Sequence, residues 1–149
     1  MISSVLAGKI LACKSSPEEV KKVFEKYLGF VDYLEGGGVK AIQALDENQL
    51  AEVRCTEKVT EIYLTTSTPE GLWEEMFGKG GVELRKCLGS GGYVSVARSH
   101  VSAKLFATAE GENGKFEAEV TPEGVKAKGS CPFKGLTEIA REAGIELKL

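Results

Sequence analysis

The chain has 149 residues, 42% of them hydrophobic and 28% charged, with a formal net charge of −3. That length and balance fit a single globular domain, residues 1–149, with enough apolar material for a real core. The acidic excess speaks against a nucleic-acid binder, and no apolar run approaches the roughly 18–20 residues of a membrane span.

The N-terminus, Met1 to Lys9, has no basic region ahead of its apolar residues, which speaks against a secretory leader and makes the cytoplasm the expected location. Val5 to Cys13 is apolar and reads as a first strand. Ser16-Pro17-Glu18-Glu19 then opens a helix: Pro17 suits the first helical position, and Ser16 with Glu19 makes a capping box. Val20, Val23, Phe24, Tyr27 and Leu28 share one face, and Gly29 ends the helix. Phe30 to Leu34 is apolar without a clear period, and Glu35-Gly36-Gly37-Gly38 is a break.

Three strands are expected next: Val39 to Leu45, a turn at Asp46-Glu47-Asn48, then Gln49 to Thr56 and Val59 to Thr66. Thr68-Pro69 opens a second helix, with Leu72, Trp73, Met76 and Phe77 as its apolar face and Gly78-Lys79-Gly80-Gly81 as its stop. Val82 to Leu88 reads as a strand, followed by a long one from Tyr93 to Ala109 that bends near Ser99-His100. Asn113-Gly114 and Thr121-Pro122-Glu123-Gly124 are turn signals between further alternating strands. A third helix is expected from Pro132, with Cys131 at its N-cap and Gly144 as its stop, before a final strand from Ile145 to Leu149.

The order β-α-βββ-α-ββββ-α-β describes an α+β fold: a curved antiparallel sheet packed with two to three amphipathic helices. The stretch Pro69, Gly71-Leu72, Gly81-Val82-Glu83-Leu84 echoes Pro132, Gly135-Leu136, Gly144-Ile145-Glu146-Leu147. Two duplicated antiparallel half-folds are therefore the alternative.

The first half, residues 3–66, resembles the START-like, birch-pollen-allergen-like helix-grip superfamily: a strand into Ser16-Pro17-Glu18-Glu19-Val20, an amphipathic helix, a glycine-rich break, then alternating strands. The resemblance implies a sheet wrapped on a C-terminal helix around an apolar ligand. It fixes no catalytic residue. The helix at Pro69–Gly78 and the short third helix depart from that pattern.

Four candidate functions follow from the residues. Tyr63, Trp73, Phe77 and Phe106 offer a lining for a small hydrophobic ligand. Cys131 offers a reactive thiol, because a helix N-terminus stabilises a thiolate, and Lys128 and Lys134 would add to that. Lys128, Ser130 and Lys134 could hold an anion at the same helix start. Exposed sheet edges would suit a homo-oligomer. The leading expectation is a non-enzymatic binding protein for a small apolar or amphipathic ligand or a protein partner. A thiol-dependent redox or sulfur-transfer protein using Cys131 and a structural homo-oligomeric subunit are the alternatives.

The remaining signals are bland. Cys13, Cys55, Cys87 and Cys131 contain no C-x-x-C, and with His100 alone a zinc site would need ligands from distant segments, so no metal and no cofactor are expected. Gln43, Asn48, Gln49 and Asn113 are the only amides, and Glu and Lys dominate the charges, which is a thermophile's signature. In such a source a cytosolic disulfide is allowed, but spacing does not choose the pairing.

Overall fold

In the computed structural model the described residues are 5–29, 31–36, 39–44 and 49–148, with residues 32–36 and 39–44 described by their backbone alone. The described elements are α1 (Leu6–Leu11), α2 (Pro17–Leu28), β1 (Val31–Gly36), β2 (Val39–Ala44), β3 (Ala51–Cys55), β4 (Val59–Thr65), α3 (Glu70–Leu88), β5 (Tyr93–Ser99), β6 (Lys104–Gly111), β7 (Gly114–Thr121), β8 (Gly124–Gly129) and α4 (Leu136–Glu142). The strands form one antiparallel sheet in sequence order, with β1 and β8 at its edges. The fold is therefore α+β, with a curved antiparallel sheet and helices packed on it.

One face of the sheet is the core. Ile62 and Leu64 on β4, Val94 and Val96 on β5, Leu105, Ala107 and Ala109 on β6, and Phe116, Ala118 and Val120 on β7 are buried. Their neighbours Phe106, Thr108 and Glu117 point to the other face and are exposed. That alternation is what a sheet with one packed side requires. The helices supply the cover: Phe24 from α2, Leu72, Trp73, Met76, Phe77, Leu84 and Leu88 from α3, and Ile139 and Ala140 from α4.

Helix α2 forms as its pattern predicts. The Ser16 hydroxyl accepts from Glu19 N–H at 3.1 Å, Pro17 occupies the first position, and Gly29 closes the helix at φ 86°. The strands expected within 49–66 are β3 and β4, and the long strand breaks into β5 and β6 at His100 to Ala103 as its length demands. Phe30, Gly37, Gly38 and the turn at 46–48 lie outside the described residues, and the segment without a clear period is strand β1.

Three expectations are corrected. Val5 to Cys13 is not a strand but holds α1, whose Leu6, Ala7, Ile10 and Leu11 are all buried. A short apolar run cannot be assigned by period alone, and burial on nearly every side hid the helical repeat. Val82 to Leu88 is not a strand either. Helix α3 runs on to Leu88 through a kink at Gly78, where φ is 72°. Gly78-Lys79-Gly80-Gly81 is therefore a bend and not a stop. The small residues let chains approach: a Cβ at Gly80 would collide with the Lys134 carbonyl, and one at Gly81 with Phe77.

The third correction concerns the C-terminal segment. Helix α4 starts at Leu136 from Gly135 at φ 89°, with no side-chain cap, so Cys131 and Pro132 lie before the helix in irregular chain. Residues 145–148 form no strand, although Ile145 is buried and Lys148 N–H bonds Pro122 O at 2.7 Å. The described elements thus read as a helical pair and a four-stranded meander, twice, with α4 at the end; the kink at Gly78 divides the second pair.

Candidate functional site

Strand pairing builds a row of polar side chains at the end of the helix-covered face. Cys55 on β3 pairs with Thr60 on β4, and Thr60 pairs with Arg98 on β5. All three continue the inward parity of Val53, Ile62 and Val96. His100 follows β5, and its N–H donates to Lys58 O at 2.8 Å, which pins it beside the β3–β4 turn. Cys13 arrives from the chain just after α1, in a left-handed conformation at φ 56°. That conformation is uncommon for a residue with a side chain.

Thr60 is the hub. It is fully buried, and its Oγ1 lies 3.2 Å from Cys13 Sγ, 3.4 Å from Cys55 Sγ and 2.6 Å from His100 Nε2. Arg98 Nη1 lies 2.5 Å from His100 Nδ1. A guanidinium only donates, so Nδ1 must accept and the ring's proton must sit on Nε2. The imidazole then donates to Thr60 Oγ1, which in turn donates to Cys55 Sγ. The Thr60 oxygen keeps one lone pair for the Cys13 thiol. The Thr60 hydroxyl and both ring nitrogens of His100 are satisfied, and the relay ends on sulfur.

The sulfurs of Cys13 and Cys55 and a ring nitrogen of His100 all lie within 4.8 Å of one another. Cys13 is exposed and Cys55 half-buried, so the pair is reachable from outside. The Cys13 sulfur itself is tucked among its neighbours, and burial pushes its thiol above the ordinary value, with the Cys55 thiol adding to that and Thr60 and Arg98 pulling the other way. Burial, and then the charge of Arg98, holds His100 below its usual range, which keeps the ring neutral at pH 7 as the Arg98 hydrogen bond requires.

No family model, curated protein or solved structure matches the chain. Its chemistry therefore has to be read from these side chains.

The residues singled out from the sequence fall elsewhere. Trp73 and Phe77 are fully buried and meet edge to face, and Trp73 Nε1 donates to Thr65 O at 3.0 Å, so both are core. Tyr63 and Phe106 occupy the opposite face of the sheet, where Tyr63 stacks on Tyr93 with ring centroids 5.7 Å apart. The four do not form one pocket.

Cys131 is buried and bonded to Cys87, with Cα atoms 5.7 Å apart, so it is neither an N-cap nor a free thiol. The anion cradle is not assembled either. Lys128 pairs with Glu117 at 3.7 Å, Lys134 with Glu83 at 3.5 Å, and the Ser130 hydroxyl accepts from Lys115 N–H at 3.2 Å.

The cluster at Cys13, Cys55, Thr60, Arg98 and His100 escaped sequence reading because its members come from distant segments. One signal was available. A tight β3–β4 hairpin faces Cys55 with Thr60, whereas Arg98 joins their row only through the β4–β5 pairing across α3. No comparable signal brings Cys13 there, because α1 was read as a strand.

Proposed function

We propose that this protein is a thiol-dependent redox protein whose working pair is Cys13 and Cys55, not Cys131. The observation that carries this reading is the Thr60 hydroxyl, held 3.2 Å from one free sulfur and 3.4 Å from the other at an accessible end of the sheet. The partner is a disulfide, of low molecular weight or on another protein. Cys13, the more exposed, attacks one sulfur of the partner once its thiol, held above the ordinary value by burial, has lost its proton; a mixed disulfide forms and the partner's first thiolate is released. Cys55 then attacks the Cys13 sulfur, closing Cys13–Cys55 and releasing the second. Two electrons pass to the partner, and the two cysteine protons end on the two released thiols. Thr60, fed by His100, donates to Cys55 Sγ and holds that sulfur beside Cys13, where it can resolve the mixed disulfide.

The apolar-carrier reading has less support, since its four residues are divided between the two sides of the sheet. The test is to react the reduced protein with oxidised glutathione. Wild type is expected to close Cys13–Cys55 without accumulating adduct, whereas Cys55→Ser accumulates glutathione on Cys13. Adduct persisting on Cys13 in wild type would show that Cys55 does not resolve it and would end this reading.

A further inference from the structure

We infer that, in its reduced form, the same cluster is a binding site for a thiophilic divalent cation, zinc above all, with Cys13 Sγ, Cys55 Sγ and His100 Nε2 as protein ligands. Two sulfurs and one imidazole are a donor set that suits Zn²⁺. The spacing suits it as well. Zinc bonds sulfur at about 2.3 Å and nitrogen at about 2.0–2.1 Å, so a tetrahedral site sets sulfur and nitrogen about 3.6 Å apart. Cys13 Sγ and His100 Nε2 are 3.6 Å apart already. The three donors lie within 4.8 Å of one another, so at most about an ångström of closure is needed between any two of them.

The fourth direction is the one taken by Thr60 Oγ1, at 3.2, 3.4 and 2.6 Å from Cys13 Sγ, Cys55 Sγ and His100 Nε2. The fourth direction is thus held by a buried protein hydroxyl and not by an exchangeable water. Binding is proton exchange and not redox: two cysteine thiols lose their protons to solvent as two metal–sulfur bonds form, and no electrons move.

One residue opposes the metal. Arg98 holds the ring proton on Nε2, the nitrogen that would have to bind. Coordination moves that proton to Nδ1, and the guanidinium must then turn aside. Its buried Nε has no hydrogen-bond partner among the described residues, so little there anchors it. A residue that accepts from Nδ1–H would reverse the effect, as partners of metal-bound imidazoles usually do. Arg98 is on this account the positioning residue that sets affinity.

The inference goes beyond the exchange reading and needs only the reduced pair. The test uses the full-length reduced protein with Co²⁺ as the optical probe. One Co²⁺ per chain should give thiolate-to-metal charge-transfer absorption that Zn²⁺ abolishes. In wild type with the Cys87–Cys131 disulfide intact, Zn²⁺ should protect Cys13 and Cys55 from the alkylation that both undergo without it, a readout that requires no variant. His100→Ala should weaken binding, and Arg98→Gln should tighten it, each by about tenfold or more. Absence of a one-to-one signal, or alkylation of Cys13 and Cys55 unaffected by Zn²⁺, would overturn the site, and weaker binding in Arg98→Gln would overturn His100 as a ligand. A protein that closes Cys13–Cys55 yet binds no metal sinks this inference alone, while one that binds metal yet does not exchange sinks the redox reading alone.

Discussion

The two cysteine pairs of this molecule do similar mechanical things in different surroundings. Cys87, in the last turn of α3, is bonded to Cys131 in the segment after β8. Cys13, just after α1, faces Cys55 at the end of β3. Each pair brings the chain at a helix end to the chain at a strand end, but only Cys87 and Cys131 are bonded. The first is packed: Cys131 is fully buried, and Phe133 beside it meets both Phe77 and Phe116 edge to face. The second is wet at one end and ringed by a hydroxyl, an imidazole and a guanidinium. A sulfur pair already bonded, with one partner fully buried, has little to do but hold. One wired to polar groups can change state.

The sharpest way to break that comparison is to delete each pair. Changing Cys87 and Cys131 to Ala releases a loop 44 residues long and is expected to cost about 4 kcal/mol in chemical denaturation, on the loop-entropy account. Changing Cys13 and Cys55 to Ala in reduced protein should cost far less, because no bond is lost. Equal losses would erase the distinction between a holding pair and a working one.

Close packing near the first pair gives the next test. Gly80→Ala drives a methyl into the Lys134 carbonyl, so helix α3 and the segment before α4 must separate. The expected loss is about 1–3 kcal/mol by the same denaturation measurement. Thr60→Val probes the second pair. It removes a fully buried hydroxyl that links three side chains and should cost about 1–2 kcal/mol while slowing closure of Cys13–Cys55. Unchanged closure kinetics would show that the relay onto Cys55 has no chemical role.

The smallest effect is expected where α4 meets α1, the helix that delivers Cys13. Glu142 lies against Gly8, and its Oε2 is buried without a partner among the described residues. Burial raises its carboxyl above the ordinary 4.5, with Lys9 offsetting part of the rise. The folded state therefore holds this proton more tightly than the unfolded chain. The resulting stability is present below pH 4.5 and is lost as pH rises through the raised value. Glu142→Gln should thus raise the melting temperature at pH 7, and the gain should vanish in acid. A gain that persists below pH 4.5 would point to packing instead of charge.

Much of the sheet was legible from the chain because half-buried strands advertise themselves. Phe116, Ala118 and Val120 alternate against Lys115, Glu117 and Glu119, and β7 follows. Helix α2 was legible for the same kind of reason: Ser16, Pro17 and Gly29 mark its ends. What failed were elements whose signals are hidden by burial or by glycine. Helix α1 is apolar on nearly every side, and α3 carries Gly78, Gly80 and Gly81 in its middle because the kink and the close contact with Lys134 need them. The candidate site was hidden differently. Its sulfurs and imidazole meet only after the β3–β4–β5 pairing and the placement of α1 are both known, and no local spacing encodes that. Cys131 drew attention because Pro132 looked like a helix start, yet the helix waits for Gly135.

The account turns on Cys13 and Cys55 being a pair that opens and closes while Cys87–Cys131 stays shut. The most direct test is to equilibrate wild-type protein in thiol–disulfide buffers of graded potential, quench with an alkylating agent and map the cysteine peptides. The account predicts a Cys13–Cys55 cross-linked peptide that appears and disappears reversibly across the series, at potentials where Cys87–Cys131 remains linked throughout. Cys13 and Cys55 alkylated separately at every potential, or both pairs opening together, would contradict it.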